Sequence, residues 1–201
     1  MIAVYVDDLI IAVDDSKYLE ELKKKLMTIF KMKDMGYGKN ISYCLGIKIK
    51  QDVKRGTIIM NYWKYVEEVL ALFEMKNCKP SPTPMDGDSK LQKPNPENEP
   101  DSALPCQNLI GSLMYLSVST RPDITYAVSA LSQFNINYGQ EHLIAAKRVL
   151  RYLQGTQRYG LTYKKTQKKL EGYADADWGG DLGDRRSYTG YVFLLAGASI
   201  S

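Results

Sequence analysis

Two kinds of hydrophobic spacing alternate along the chain. Residues 2–6 and 9–13 are mostly β-branched or aliphatic and flank the acidic pair of "VYVDDLIIAV", which predicts a hairpin with Asp7 and Asp8 in its turn. Asp14, Asp15 and Ser16 then supply a turn and a helix N-cap. Over residues 17–30, Tyr18, Leu19, Leu22, Leu26, Ile29 and Phe30 fall on one helical face, with Lys23, Lys24 and Lys25 mostly off it. That helix is expected to cover another element. "YCLGIKI" (43–49) and "GTIIMNYW" (56–63) read as strands joined by the charged "KQDVKR", and residues 62–75 as a second amphipathic helix.

Seven of the eight prolines lie in residues 79–105, a composition that predicts an extended, exposed linker. Helical spacing returns over residues 106–117, 122–135 and 140–154. Pro122 and Asp123 suit a first helical turn, and Gly155 suits the C′ position of the third helix. "YGLTYKK", "KLEGYADADWGG" and "YTGYVFLLAGASIS" read as strands, and the strand through residues 191–195 is expected to be an uncovered edge. The order of elements predicts an α+β fold in at least two units.

Composition narrows the classes of function. The chain has 201 residues, 44% hydrophobic and 25% charged, which suits a globular protein of one or two domains. No apolar run approaches the roughly 20 residues needed to span a bilayer, and the N-terminus lacks a secretory leader pattern. The expectation is an intracellular protein without a membrane partner, the choice between cytoplasm and nucleus left open. Three separated cysteines, Cys44, Cys78 and Cys106, argue for buried free thiols over a disulfide framework. A single histidine, His142, expected to pack or cap, is too few for a Cys/His zinc site. Any catalytic metal then falls to carboxylates, which suits Mg²⁺ or Mn²⁺.

The net charge is +4, but residues 147–169 hold eight Lys/Arg and no acid, interleaved with Tyr152, Tyr159 and Tyr163. Such a stretch is either a solvated basic face or a track for a phosphate backbone. Two acidic constellations remain: Asp7 with Asp8, and Asp175 with Asp177, the latter two apart on a predicted strand and therefore on one face. Carboxylates resist burial unless neutralised, so each pair is solvent-facing or part of a metal site. Two-metal phosphoryl transfer needs several such groups converging. An acidic pair also occurs in phospho-accepting receiver domains, but there it ends a parallel strand that leads into a helix, whereas "LIIAV" continues as a strand.

The blocks "YVDDLII", "CLGIKI", "CKPSPTPM", "LIGSLMYLSVSTRPDITYAVSALSQF", "HLIAAKRVLRYLQGT" with "YGLTY", and "LEGYADADWGGDLGDRRSYTGYVFLL" follow one another in that order. In this order they resemble the reverse transcriptase and RNase H part of the Pol polyprotein of copia-type LTR retrotransposons. The resemblance implies an RNA-directed DNA polymerase: residues 1–78 the rear of palm and thumb, 79–105 a linker, 106–165 a helical connection, and 166–201 the start of an RNase H-like sheet. By the same resemblance Asp7 and Asp8 are catalytic carboxylates for Mg²⁺ or Mn²⁺, and Tyr5 is the aromatic of that motif. Leu45, Gly46 and Ile47 match the hairpin that steadies the primer end. Asp175 matches the first metal-binding aspartate of RNase H, with Asp177 beside it.

Lys147, Arg148 and Arg151 are implied contacts for phosphates of an RNA/DNA hybrid. The implied partners are an RNA template, a DNA primer or their hybrid, together with the other Pol segments. The family places a third palm aspartate and the fingers upstream of the YVDD block, and further RNase H acids downstream of this sequence. The chain alone is therefore expected to be inactive; the alternative is a noncatalytic nucleic-acid-binding remnant.

Overall fold

In a computed structural model of the chain, the residues described are 1–34, 43–87, 91–93, 106–176, 187 and 189–201. Strands β1 (Ile2–Tyr5) and β2 (Asp8–Ile11) form an antiparallel hairpin in which Tyr5 faces Asp8 and Ile2 faces Ile11. Two-residue hairpin turns need positive φ to match the strand twist, and Val6 adopts φ 48° despite its β-branched side chain. Asp7 therefore sits in the turn while Asp8 opens β2, which corrects the expectation that both lie in the turn. The antiparallel pairing also lacks the parallel strand that a receiver domain requires.

Helix α1 (Ser16–Ile29) starts where the Asp15 carboxylate accepts the Lys17 amide at 2.8 Å. Its predicted apolar face is only partly covered among the described residues: Leu19, Leu22 and Leu26 are half-buried, no residue of α1 is fully buried, and Tyr18, Met27 and Ile29 are exposed. Amphipathic spacing makes a face fit for burial, but burial also needs a facing element.

Four strands form an antiparallel sheet in the order β3 (Tyr43–Cys44), β4 (Ile47–Asp52), β5 (Thr57–Asn61), β6 (Leu161–Lys164). Half of the charged stretch expected to connect β4 and β5 is strand. Lys50, Gln51 and Asp52 continue the ladder opposite Ile59, Ile58 and Thr57, leaving residues 53–56 as the turn. Between β5 and β6 run the helices α2 (Trp63–Leu72), α3 (Cys106–Ser119), α4 (Thr125–Ser132) and α5 (Gln140–Gly155). The expected helix over 122–135 begins as a tighter turn, Pro122–Ile124, because the Thr125 amide bonds back to the Pro122 carbonyl. Gly155 is the last helical residue, and Thr156 takes the capping place.

The four helices share one core, built from residues such as Val69 and Leu70 of α2, Leu113 of α3, Leu131 of α4 and Leu150 of α5. Residues 79–87 of the proline-rich stretch are anchored on α5 instead of spanning solvent freely. Ser81 is buried, its amide donates to the Arg151 carbonyl at 3.2 Å, and Met85 packs against the core.

A third sheet has the order β7 (Glu171–Ala176), β8 (Thr189–Leu195), β9 (Ala198–Ser199). The expected uncovered edge at 191–195 is the middle strand, because a turn at Ala196 and Gly197 folds the end of the chain back onto β8. This turn meets the four-stranded sheet: the Lys164 amide donates to the Ala196 carbonyl at 2.8 Å, and the Tyr163 hydroxyl to the Ser199 carbonyl at 2.7 Å. Among the described residues no helix is long and apolar enough to cross a membrane.

Candidate nucleic-acid interface

Asp7 and Asp8 project from the end of the first hairpin, both exposed, beside the exposed ring of Tyr5. Neither is ion-paired among the described residues. The second hairpin lies within electrostatic reach: burial pushes the Cys44 thiol pKa up, and the charge of Asp8 pushes it further. Cys44 directly precedes the turn formed by Leu45 and Gly46, at φ 50° and 78°, and Ile47 opens β4.

That turn is clamped from behind. The Tyr62 hydroxyl donates to the Leu45 carbonyl at 2.8 Å and lies 3.4 Å from the Tyr115 hydroxyl, while Tyr62, Tyr65 and Tyr115 stack with centroids 5.2 to 5.7 Å apart. Burial, then the Tyr115 hydrogen bond, raises the Tyr62 pKa and keeps it a neutral donor. Gly46 is needed twice over. Its φ is positive, and a Cβ there would collide with the Tyr62 hydroxyl oxygen.

Asp175 belongs to a different sheet from this pair. Asp175 is on β7, opposite Gly190, exposed, with its Oδ1 accepting the Ala176 amide at 2.9 Å; Asp177 lies outside the described residues. Among the described residues no three His, Cys, Asp or Glu side chains gather as a metal site would require. The donor chemistry of two exposed carboxylates such as Asp7 and Asp8 is of the kind that suits a hard divalent cation.

The basic face is partly committed elsewhere. Arg148 reaches the Asp86 carboxylate at 3.2 Å and the Thr83 hydroxyl at 2.9 Å, and Arg151 Nε donates to the Lys79 carbonyl at 2.7 Å. Both hold the proline strap onto α5. Lys147, half-buried one turn earlier, forms no ion pair among the described residues.

The family model for reverse transcriptase (RNA-dependent DNA polymerase) matches residues 1–87, from the acidic hairpin into the strap. The retrovirus-related Pol polyprotein from transposon TNT 1-94 of Nicotiana tabacum is 41% identical over 206 residues, covering 100% of this chain and 15% of that protein. The chain belongs to the reverse transcriptase family of copia-type transposon Pol polyproteins. The Pol polyprotein from transposon RE1 of Arabidopsis thaliana is 39% identical, covering 98% of the chain and 13% of its own length. An uncharacterized mitochondrial protein of Arabidopsis thaliana is 34% identical, covering 95% of the chain and 77% of its own length. The chain thus spans only 13 to 15% of those Pol polyproteins. No solved structure matches it significantly.

This reverse transcriptase segment also contains a buried charge that periodicity and motif order do not announce. Arg121 is 1% exposed; its Nε and Nη2 donate to the Asp123 carboxylate at 2.9 and 2.8 Å, and Nη1 and Nη2 donate to the carbonyl and hydroxyl of Thr156 at 3.0 and 2.7 Å. The Tyr152 hydroxyl donates to the same carboxylate at 2.8 Å, and the guanidinium lies 5.5 and 5.7 Å from the rings of Tyr152 and Tyr159. Burial would push the Asp123 carboxyl up, but hydrogen bonds and charge from Arg121, with the Tyr152 hydroxyl, hold it below its ordinary value. One signal for it lies in the sequence: Arg121 is the only Lys or Arg between Lys93 and Lys147.

His142, on the apolar side of α5 in this reverse transcriptase segment, caps its start. The ring is buried, Nδ1 accepts the Gly139 amide at 3.0 Å, and Phe134 packs at 4.3 Å between centroids. Burial lowers its pKa from the ordinary 6.5, against the raising influence of Glu141 and of backbone groups at Gly139 and Gln92. A lowered folded-state pKa means the contribution is full above pH 6.5 and lost as pH falls toward the folded value. His142→Asn keeps an acceptor near Gly139 without titrating. It is expected to flatten the pH dependence of the urea midpoint below about pH 6.5, at a cost of about 1 kcal/mol at neutral pH from weaker packing.

Proposed function

We propose that this chain supplies part of a polymerase site that copies an RNA template into DNA. Asp7 and Asp8 offer carboxylates to Mg²⁺ or Mn²⁺. Tyr5 and the turn at Leu45, Gly46 and Ile47 form the rest for the primer end. Residues 62–75 belong to the thumb, and β7–β9 open an RNase H-like sheet, with Asp175 and Asp177 as its metal-ligand candidates. Other Pol segments complete both sites.

The observation that supports this reading is the exposed, unpaired acidic pair within electrostatic reach of a turn that Tyr62 and Tyr115 hold rigid. Adjacent carboxylates without a cation repel each other, and a divalent ion removes that cost. Primer extension on an RNA template with Mg²⁺ tests the proposal. The isolated chain is expected to give no extension. Grafted in place of the matching segment of the tobacco transposon Pol polyprotein, it is expected to extend the primer. In that graft Asp7→Asn or Asp8→Asn should slow extension by roughly 30-fold, about 2 kcal/mol of the several that a bound ion contributes. Extension by the isolated chain that either substitution abolishes would refute its incompleteness. A folded but inactive graft would refute the functional reading.

A second reading, a noncatalytic nucleic-acid binder, draws on the exposed Lys164, Lys165, Lys168 and Lys169 that follow α5. Affinity for an RNA/DNA hybrid that does not change with salt would remove it.

A further inference from the structure

We propose that Trp63, Lys48, Lys64 and Arg158 form a binding site for the phosphate backbone of a nucleic acid strand, separate from the acidic hairpin and from residues 147–151. The class of ligand rests on the reverse transcriptase reading; the site rests on its own geometry.

Trp63 is the first residue of α2, and its neighbour Lys64 together with Lys48 and Arg158 from other segments converge on its indole. The Arg158 guanidinium lies 4.3 Å from the ring centroid, the Lys48 ammonium of β4 5.8 Å, and the Lys64 ammonium 6.0 Å. Lys64 is also 4.8 Å from the ring of Tyr43. One indole attracts a cation through its π face, but cations gathered around a single ring repel one another. Elsewhere a cation that lies beside an acid is neutralised by it, as Lys23, Arg55, Arg121, Arg148 and Lys168 are. Among the described residues Lys48, Lys64 and Arg158 have no carboxylate partner.

A further feature leaves the positive charge uncompensated. Helix α2 begins here without a side-chain cap and without an acid in its first turn, so its positive end adds to the cluster. An anion seated on the cluster supplies the negative charge that these cations lack among the described residues.

The neighbourhood favours a strand over a free anion. Tyr43 and Lys48 pair across the β3–β4 hairpin and flank the Leu45 and Gly46 turn. A strand resting on that turn passes directly onto Trp63 and Tyr43, whose rings offer stacking surfaces beside the phosphate contacts. This arrangement extends the proposed primer rest by a second, cationic step.

The test uses the full chain carrying Trp178→Phe, which leaves Trp63 as the sole tryptophan of the two in the sequence. A short RNA/DNA hybrid is titrated in at several salt concentrations while tryptophan emission is followed. The expected result is saturable quenching of Trp63. Lys48→Gln, Lys64→Gln and Arg158→Gln together should weaken binding at least about tenfold at low salt. The same triple change should make the slope of log affinity against log salt shallower by about two to three, near 0.9 for each phosphate that is no longer neutralised.

Binding of the hybrid with no Trp63 response, or with an unchanged slope in the triple variant, would overturn the site and leave the reverse transcriptase reading standing. Absence of any binding would count against both. Equal quenching by inorganic phosphate at matched phosphate concentration would overturn the nucleic-acid assignment. If the triple variant does not fold, the single Arg158→Gln variant and the Trp63 response of the parent decide the matter.

Discussion

Arg121→Met is expected to lower folding stability by about 3–5 kcal/mol, read as a fall in the urea midpoint at neutral pH. Methionine roughly preserves volume, so the loss reports charge and hydrogen bonding more than a cavity. Five hydrogen bonds vanish at once: three to Asp123 and two to Thr156. Asp123 is then left as a carboxylate whose remaining side-chain donor among the described residues is Tyr152. An exposed ion pair would contribute almost nothing. This guanidinium differs because it is 1% exposed and ties the end of α3 to the end of α5 through residues 121, 123 and 156.

The companion variant discriminates the cause. Arg121→Met with Asp123→Asn removes both charges and should recover about 1–2 kcal/mol of the single loss, because the stranded carboxylate is gone. The pH response gives an independent reading. The Asp123 carboxyl is held below its ordinary 3.8 in the folded state, so its stabilisation is present above pH 3.8 and disappears as pH falls through the lower folded value. In Arg121→Met that depression is removed, and acid unfolding should begin at higher pH. A loss under about 1 kcal/mol would show that the cluster is a surface pair in effect.

Gly160→Ala is expected to cost about 3 kcal/mol, the upper end of ordinary overpacking. A Cβ at this position would collide with the Met60 carbonyl oxygen and lie 2.7 Å from Asn61 Cβ and 3.0 Å from Asn61 Cα. Two of these three atoms are backbone, so no side-chain rotation relieves the clash. Residue 160 leads into β6, whose pairing with β5 joins positions about a hundred residues apart in sequence, Met60 with Leu161 and Thr57 with Lys164. Hydrogen exchange should therefore speed up at Ile58 and Met60 before it does in the helical core. Gly111→Ala is the control: nothing lies within 4 Å of its added carbon on α3, and it should stabilise by about 1 kcal/mol through helix propensity. Equal effects from the two changes would refute the close-approach argument.

Local patterns explain what could be read from the sequence. Alternating residues around Asp7 and Asp8, helical spacing in α2 and α5, and the turn at Gly46 each depend on neighbours a few residues away. The capping role of His142 was legible for the same reason, whereas of the three thiols expected to be buried only Cys106 is, Cys44 and Cys78 being half-buried. By contrast, the exposed sides of α1, the central place of β8 and the anchored proline strap depend on which surfaces meet. Arg148 and Arg151 show this most clearly. Their charge was visible, but their engagement with Lys79, Thr83 and Asp86 was not.

The sequence by itself determined the family, the α+β character, the acidic hairpin and the run of cations after α5, because motif order and short-range periodicity are written in adjacent residues. Only the tertiary structure decided that β6 returns to β5, that Arg121 is buried among Asp123, Tyr152 and Thr156, and that Lys48, Lys64 and Arg158 meet at Trp63. Each of these joins residues separated by long stretches of chain. Such arrangements form only when the helices pack, since the burial of their shared core offsets the entropy of closing those loops.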